Sequence, residues 1–463
     1  MSLSINPAIV PPLDPDFVPA VLWNRAYKEK VAADPGRRSC RIRLEQPGGA
    51  AERVELELLA ADHADAALTV TYVERLVKFL LWSRGGNRLV VGGADDVADA
   101  LRAVYARDGE RAFDVEFLGD KIYGGGFTVD VAPYDDVAES AAVGLPLGRN
   151  TGGNRIGFDL GGSDRKAAAV VDGEVVYSEE IPWDPYFEND PEYHISGIQE
   201  SLRNAAAHLP KVDAIGGSAA GVYVQNEVRA ASLFREISDA DFEARIRRVF
   251  FDLSEEWGVP FEVVNDGEVT ALAASMSLDV NAVLGVSMGT SEATGYVDTD
   301  GHITPWLNEL AFAPVDYRDQ GPVDKWSGDA GCGVQFFSQQ GVARLVPAAG
   351  IEVPEGMPFP EQLVQVQELM AQGDDRARRL YESIGVCFGY AIAHYRSFYD
   401  FEHLLILGRV TSGRGGEIIL EEARRVLNEE FPEWSNAIAL HTPNEKDKRH
   451  GQAIAAASLP SVG

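Results

Sequence analysis

An α/β fold in two lobes is predicted by three features of the chain. From residue 156 onward short apolar strands alternate with amphipathic helices, the pattern of a mixed sheet covered by helices on its faces. Two strands, in IGFDLGGSDRKAAAVV (156–171) and VLGVSMGTSEATGYV (283–297), reach a glycine turn and come straight back as a second strand. That shared opening marks two halves built alike, and 463 residues exceed a single ordinary core.

Residues 1–150 read as a separate α+β unit ahead of both halves. VLWNRAYKEKVA predicts a short helix, CRIRLEQ and RVELELLA strands, and HADAALTVTYVERLVKFLLWSRGG a longer helix ended by glycines. RLVVGG, a helix at DDVADALRAVYARDG, and strands at FDVEFLG and FTVDVAP complete it. The glycines of KIYGGGF (121–127) suit a tight turn or bulge, or a backbone that lets a ligand approach. GLPLGRNTGGNR (144–155) is a polar, glycine-rich linker. Beyond it come a helix near ISGIQESLRNAAAHL, a strand in VDAIGGSAAG, a helix in DFEARIRRVFFDLSEEWG, and FEVVND, a strand leading into a helix at 267–278. LLILGRVTSGRGGEIILEEARRVL (404–427) predicts a buried strand, a loop and an amphipathic helix. The alanine-rich tail returns as a helix suited to the first lobe, with His441 and His450 as surface or capping residues. The expected divisions are 1–150, 151–275 with the closing helix 445–463, and 276–444.

A net charge of −31 argues against nucleic acid or an anionic membrane as partner, and neither part of the chain is basic. The three cysteines, Cys40, Cys332 and Cys387, lie too far apart for a disulfide framework or a cysteine zinc cluster. No apolar run is long enough to span a bilayer, and the start has no basic stretch followed by an apolar core, so the cytoplasm is the expected location.

The chemistry lies in the loops. Gly161, Gly162 and Ser163 offer backbone amides at a turn where a phosphate could approach without meeting a Cβ, although an ordinary hairpin would look the same. Asp159 ends its strand there, and Lys166 reads equally as a phosphate contact or an exposed strand lysine. Asn265 and Asp266 end another strand at a helix start, the edge where open sheets bind ligands; Asp266 could also be a helix cap. Gly289, Thr290 and Ser291 form a second turn of amides and hydroxyls.

Taken together these segments resemble the actin, hexokinase and Hsp70 superfamily, and most of all the ROK family of sugar kinases, over 156 to 460. The resemblance implies a two-lobed actin-like ATPase (ribonuclease H-like) fold, with an extra α+β domain in front and ATP in the cleft. It implies Asp266 as general base and Asn265 and Glu309 as sugar ligands, the latter because NELAFAPVDY (308–317) lines up with the family's GEIGHMPVD. It implies ATP contacts from Asp159, Gly161, Gly162, Ser163, Lys166, Gly289, Thr290 and Ser291, with Mg²⁺ held through Asp159. Gly408, Arg409 and Gly413 fall in the adenosine segment. In GGSAAGVYVQNEVRAASLF, Ser232 sits near the family's sugar-binding asparagine and Asn226 is a candidate replacement, or a plain turn residue.

The chain also departs from the family. Phe312 replaces a histidine that binds sugar and zinc, only Cys332 survives of three cysteines, and Gln339 stands for a glutamate, so no zinc is expected. Glu292 would put a carboxylate near the triphosphate, unless its side chain points away or reaches metal. These losses keep open a non-catalytic sugar sensor or regulator, since the family includes repressors. Its usual basic DNA-binding helix pair does not fit the acidic front unit. An ATPase that activates another enzyme would require cysteine clusters this chain lacks. The partners implied are a sugar and ATP, without nucleic acid or membrane, and the resemblance leaves a homodimer open.

Overall fold

The computed structural model describes residues 3–142, 146–442 and 448–462. Gly144 and Leu145 of the expected linker, residues 445–447 and Gly463 of the expected closing helix, and the His450 side chain lie outside the described residues.

Three sheets organise the chain. The first has the order β2–β1–β3–β4 from β1 (Arg38–Glu45), β2 (Ala51–Leu58), β3 (Arg88–Gly92) and β4 (Thr128–Ala132). The second contains β5 (Asn154–Leu160), β6 (Asp164–Val171), β7 (Glu174–Pro182) and β8 (Ala214–Ala219). A small hairpin of β9 (Val222–Val224) and β10 (Glu227–Ala230) follows, and β11 (Phe261–Asn265) completes the second sheet as β11–β8–β5–β6–β7. The third has the order β13–β12–β14–β15 from β12 (Val283–Met288), β13 (Glu292–Val297), β14 (His403–Leu407) and β15 (Ala439–His441).

The second and third sheets are built alike. In each the opening hairpin is antiparallel (β5 with β6, β12 with β13), and its first strand takes parallel neighbours on the other side, β8 then β11, or β14 then β15. Their loops therefore leave the same end of each parallel set, where open sheets bind ligands. Helix Asp266–Leu278 packs along β12 and β13, so it ties the two lobes together, and helix Lys448–Ala457 returns across β5 and β8.

The apolar interior has an uneven division. One cluster of buried side chains fills the first lobe, from Ile156 to Val263. A larger one runs without a break from Ile9 through Trp82 and Leu118 to Phe312, Phe337, Phe388 and Ile438, so the front unit and the second lobe share one core. Ions seal the same junction. Lys78, fully buried, donates to both carboxylate oxygens of Asp114 at 3.0 and 2.9 Å and to Asp329 at 2.5 Å, and Arg111 bridges Asp329 and Glu74.

One expected strand is a helix. FDVEFLG lies in the turns Ala112–Asp114 and Val115–Ile122, the latter a π-helix. The alternation at Phe113, Asp114, Val115, Glu116 and Phe117 suggested a half-buried strand, but Asp114 is buried, receiving bonds from Lys78 and from the Trp82 indole at 2.9 Å. Phe113 and Phe117 instead share a face and stack on Trp82, with ring centroids 6.1 and 5.8 Å away. A polar residue with buried partners on a distant helix breaks the local pattern.

Candidate active site

Strand β11 runs into helix Asp266–Leu278, and the cap at that junction is Asn265, not Asp266: Asn265 Oδ1 accepts from the Gly267 amide at 2.8 Å and Nδ2 donates to the Gly221 carbonyl at 2.8 Å. Asp266 is the first helical residue, half-buried, and its Oδ1 accepts from its neighbour Gly267 at 3.0 Å. Burial, reinforced by the charge of Asp159, pushes its pKa up to about 6.

Four carboxylates gather around this point. Asp159, near the end of β5, accepts from Ser218 on β8 at 2.7 Å and stands 4.0 Å from Lys166, which pairs more closely with Asp164 at 2.9 Å. Burial raises the Asp159 pKa against those two contacts. Glu309 is raised to about 7 by burial and by Asp266, and Glu268 to about 8, chiefly by burial. Glu268 accepts from Asn308 Nδ2 at 3.1 Å, and Asn308 in turn accepts from the Tyr399 hydroxyl at 3.0 Å.

Two hollows meet at Glu309, the member of this group that lines both. The inner one, of about 590 Å³, is lined by Asn265, Glu268, Glu309 and Trp306, with Gln46 and Tyr123 from the front unit on its far wall. The outer one, of about 1000 Å³, is lined by Phe113, Phe117, Phe312, Trp326 and Ser232. Gly221, Val222, Arg229 and Glu309 line both.

The other expected ligands divide. Ser232 is exposed on the outer hollow. Asn226 is a turn residue: with φ of 62° it tips the β9–β10 hairpin, donating to the Phe261 carbonyl at 2.6 Å and accepting from the Val263 amide at 2.9 Å. Its amide group thus pins the hairpin to β11, in keeping with the plain-turn reading, while the residue also lines the inner hollow. In the first glycine turn the Gly161 amide is committed to the Asp164 carbonyl at 3.0 Å, which takes that amide out of the expected phosphate cradle. A Cβ on Gly162 would strike the Tyr186 ring.

The second turn is more open. Thr290 and Ser291 are exposed, and the Gly289 carbonyl is held by the Gln339 amide at 2.9 Å. Of the readings open for Glu292, the structure has its side chain pointing away from this loop. It is buried inside the lobe, accepts from the Tyr395 hydroxyl at 3.3 Å, and is raised to about 8 by that burial. Gly408, with φ of 98°, lies so close to the Met288 carbonyl that a Cβ would collide with it, which brings the β12 and β14 loops side by side. Arg409 is exposed beside it, and Gly413 occupies the N-cap of helix Arg414–Glu430.

No family model matches the sequence, nor does any curated protein. Among solved structures the chain is similar to a ROK hexokinase from Thermus thermophilus, at 20% identity and a TM-score of 0.52, over 66% of this chain and 96% of that one. It is equally similar to a ROK family transcriptional regulator, a homolog of the E. coli MLC protein, at 20% identity and 0.52, over 66% of this chain and 78% of that one. This chain has the ROK fold.

Within that fold, the position that the ROK resemblance gives to a histidine holds the buried ring of Phe312, tilted against Trp82 at 4.4 Å between centroids. Cys332 is buried and its thiol is pushed up to about 12, so it stays protonated. Gln339 is buried at a helix start. Among the described residues no three or more His, Cys, Asp or Glu side chains are grouped to hold a metal, and no helix is long and apolar enough to cross a membrane.

Sequence reasoning missed Glu268, Arg229, Trp306 and the front-unit residues Gln46 and Tyr123. Glu268 follows Asp266 by two positions and read as ordinary helix. Gln46 and Trp306 lie in segments with no chemical signature, whereas Tyr123 and Arg229 lie in the KIYGGGF and GGSAAGVYVQNEVRAASLF segments already singled out, and only packing shows that these side chains reach the hollow.

Proposed function

We propose that the protein is a sugar kinase using ATP and Mg²⁺, with Asp266 as the base that receives the proton of the acceptor hydroxyl. The observation that carries this reading is the half-buried carboxylate of Asp266, raised to about 6, at the C-terminal end of a parallel strand and beside Glu309. A base is most effective when its pKa lies near the working pH, and this one is ionised at neutrality yet basic enough to take a proton. Glu309 and Asn265 orient the acceptor, although Asn265 has given one oxygen lone pair and one N–H to the backbone. Lys166 and the amides of Gly162 and Ser163 on one side, with Thr290 and Ser291 on the other, hold the triphosphate. Asp159 fits a metal through water, being a desolvated carboxylate beside a second one, where a cation would relieve their repulsion. When bound, Mg²⁺ would neutralise charge on the phosphates being separated. The two lobes exclude water from the transfer.

The test is turnover of ATP across a sugar panel with native protein and Asp266→Asn. Turnover by the native chain that survives in the variant would remove Asp266 from its role. A second reading, a sensor that binds sugar without transferring phosphate, draws support from the committed amide of Gly161 and from Tyr186 crowding Gly162. Calorimetry separates the two: sugar binding with no nucleotide binding would favour the sensor.

A further inference from the structure

The outer hollow has no part in the reading above. Ligand sites for drug-sized molecules span about 300–1,000 Å³, and the inner hollow alone, at about 590 Å³, already falls in that range. The outer one adds about 1000 Å³ and joins it at Glu309. A single sugar ring leaves most of this space unfilled.

The lining of the outer hollow is selective. Trp326, 61% exposed, is met edge-on by Phe113, Phe117 and Phe312 at centroid distances of 5.1, 5.3 and 5.2 Å. Three rings thus hold a fourth whose surface remains open. Trp326 rides on a turn fixed by Asp324, which accepts from the Ser327 amide at 2.8 Å and from its hydroxyl at 2.9 Å. The same short hairpin carries Asp329, anchored by Lys78 and Arg111. An exposed tryptophan held this firmly is pre-organised to receive a ligand rather than to cover a core. Its surroundings are polar, with Lys121, Arg229 and Ser232 lining the same space. An apolar plane rimmed by hydrogen-bonding groups matches a sugar ring, whose C–H faces are apolar and whose edge carries hydroxyls.

We propose that the acceptor is a glycoside of at least two rings, its reacting ring between Asn265 and Glu309 and its next ring laid on Trp326. This deepens the kinase reading and rests on it. It also gives the front unit a duty, since Phe113, Phe117 and Lys121 build one wall of the second subsite, and Gln46 and Tyr123 one wall of the first.

The test compares glucose with maltose and cellobiose, and N-acetylglucosamine with its β-1,4 dimer, by calorimetry and by ATP turnover, using native protein, Trp326→Ala and Trp326→Phe. The expected result is at least tenfold tighter binding, and a correspondingly lower KM, for one disaccharide over its own monosaccharide. Trp326→Ala brings that ratio to near one, and Trp326→Phe recovers most of it. Equal affinity for one and two rings, or a ratio unmoved by Trp326→Ala, overturns the proposal. If no sugar is phosphorylated, the kinase reading fails separately. The calorimetric ratio then still decides: a Trp326-dependent preference for two rings sustains the second subsite, and absence of sugar binding overturns it.

Discussion

The amide of Glu309 donates to the carbonyl of Trp82 at 2.9 Å, and the amide of Asn308 beside it donates to Ser83 at 3.0 Å. Trp82 and Ser83 close helix Ala67–Arg84 of the front unit, where the last carbonyls of a helix have no partner of their own. The segment that carries Glu309, the proposed sugar ligand, is thus hung from the end of a helix some 225 residues earlier in the chain. Gln46 adds a bond to the Pro305 carbonyl at 3.2 Å, and Arg84 lies over the Trp306 ring at 3.7 Å.

The first prediction concerns deletion of the front unit. Because one apolar cluster spans Trp82, Phe312 and Phe388, a fragment of residues 151–463 would expose half of a core. It is expected to aggregate or to lack a cooperative unfolding transition, measured by circular dichroism and gel filtration. A soluble monomer with a sharp transition would show that the second lobe holds its own core.

The stacking at the junction can be probed with one substitution. Trp82→Ala removes a fully buried ring and leaves Asp114 short of a donor. Urea denaturation should show a loss of about 3–5 kcal/mol. Under the kinase reading KM for sugar should rise as well, through the displaced Glu309 segment.

Lys78→Met leaves the buried carboxylates of Asp114 and Asp329 without their ammonium partner. Breaking a buried pair on one side costs about 3–5 kcal/mol, mostly the stranded charge. Adding Asp114→Asn to Lys78→Met should recover part of that loss. Two additive losses in the same denaturation experiment would mean that the groups are not coupled.

Asp266→Asn should lower kcat by about 10²–10⁴-fold while sugar affinity by calorimetry changes little. For the native chain, kcat/KM should rise with pH through about 6 and then level, because the base must be ionised. A flat profile between pH 5 and 8 would exclude a base of that pKa.

Stability should also depend on pH, with a sign opposite to that of ordinary surface carboxylates. Glu268 and Glu292 are both raised to about 8 in the folded chain by burial, well above their ordinary carboxylate value in the unfolded one. The folded state therefore holds more protons between pH 5 and 8. Its stability is full below the unfolded pKa and is lost as pH rises through the folded one, by an amount on the order of a few kcal/mol. Tm should fall from pH 5 to 8, and Glu292→Gln should flatten the fall. A Tm that climbs over this range would refute the protonated state of both.

Much of the fold was legible in the sequence. The two glycine hairpins at 156–171 and 283–297 and the strand-to-helix junction at Asp266 depend on neighbours within a few residues, and local chemistry suffices to read them. What the sequence misread or left open has a common cause. FDVEFLG took the period of a strand because nothing nearby shows that Asp114 is buried with Lys78. Alignment with loops left Glu292 and Asn226 open, and the structure turns one inward to Tyr395 and ties the other to β11.

The sequence by itself determined the architecture of paired lobes and the carboxylate at the end of β11, since periodicity, turn glycines and a strand end are local properties. Only the tertiary structure decided that Asp159, Asp266, Glu309 and Glu268 lie near enough to feel one another's charge, that the front unit walls the hollow of Glu309 and Glu268, and that Trp326 stands open in the hollow beside it. Burial and charge repulsion arise between residues remote along the chain, and no local pattern records the packing that brings them together.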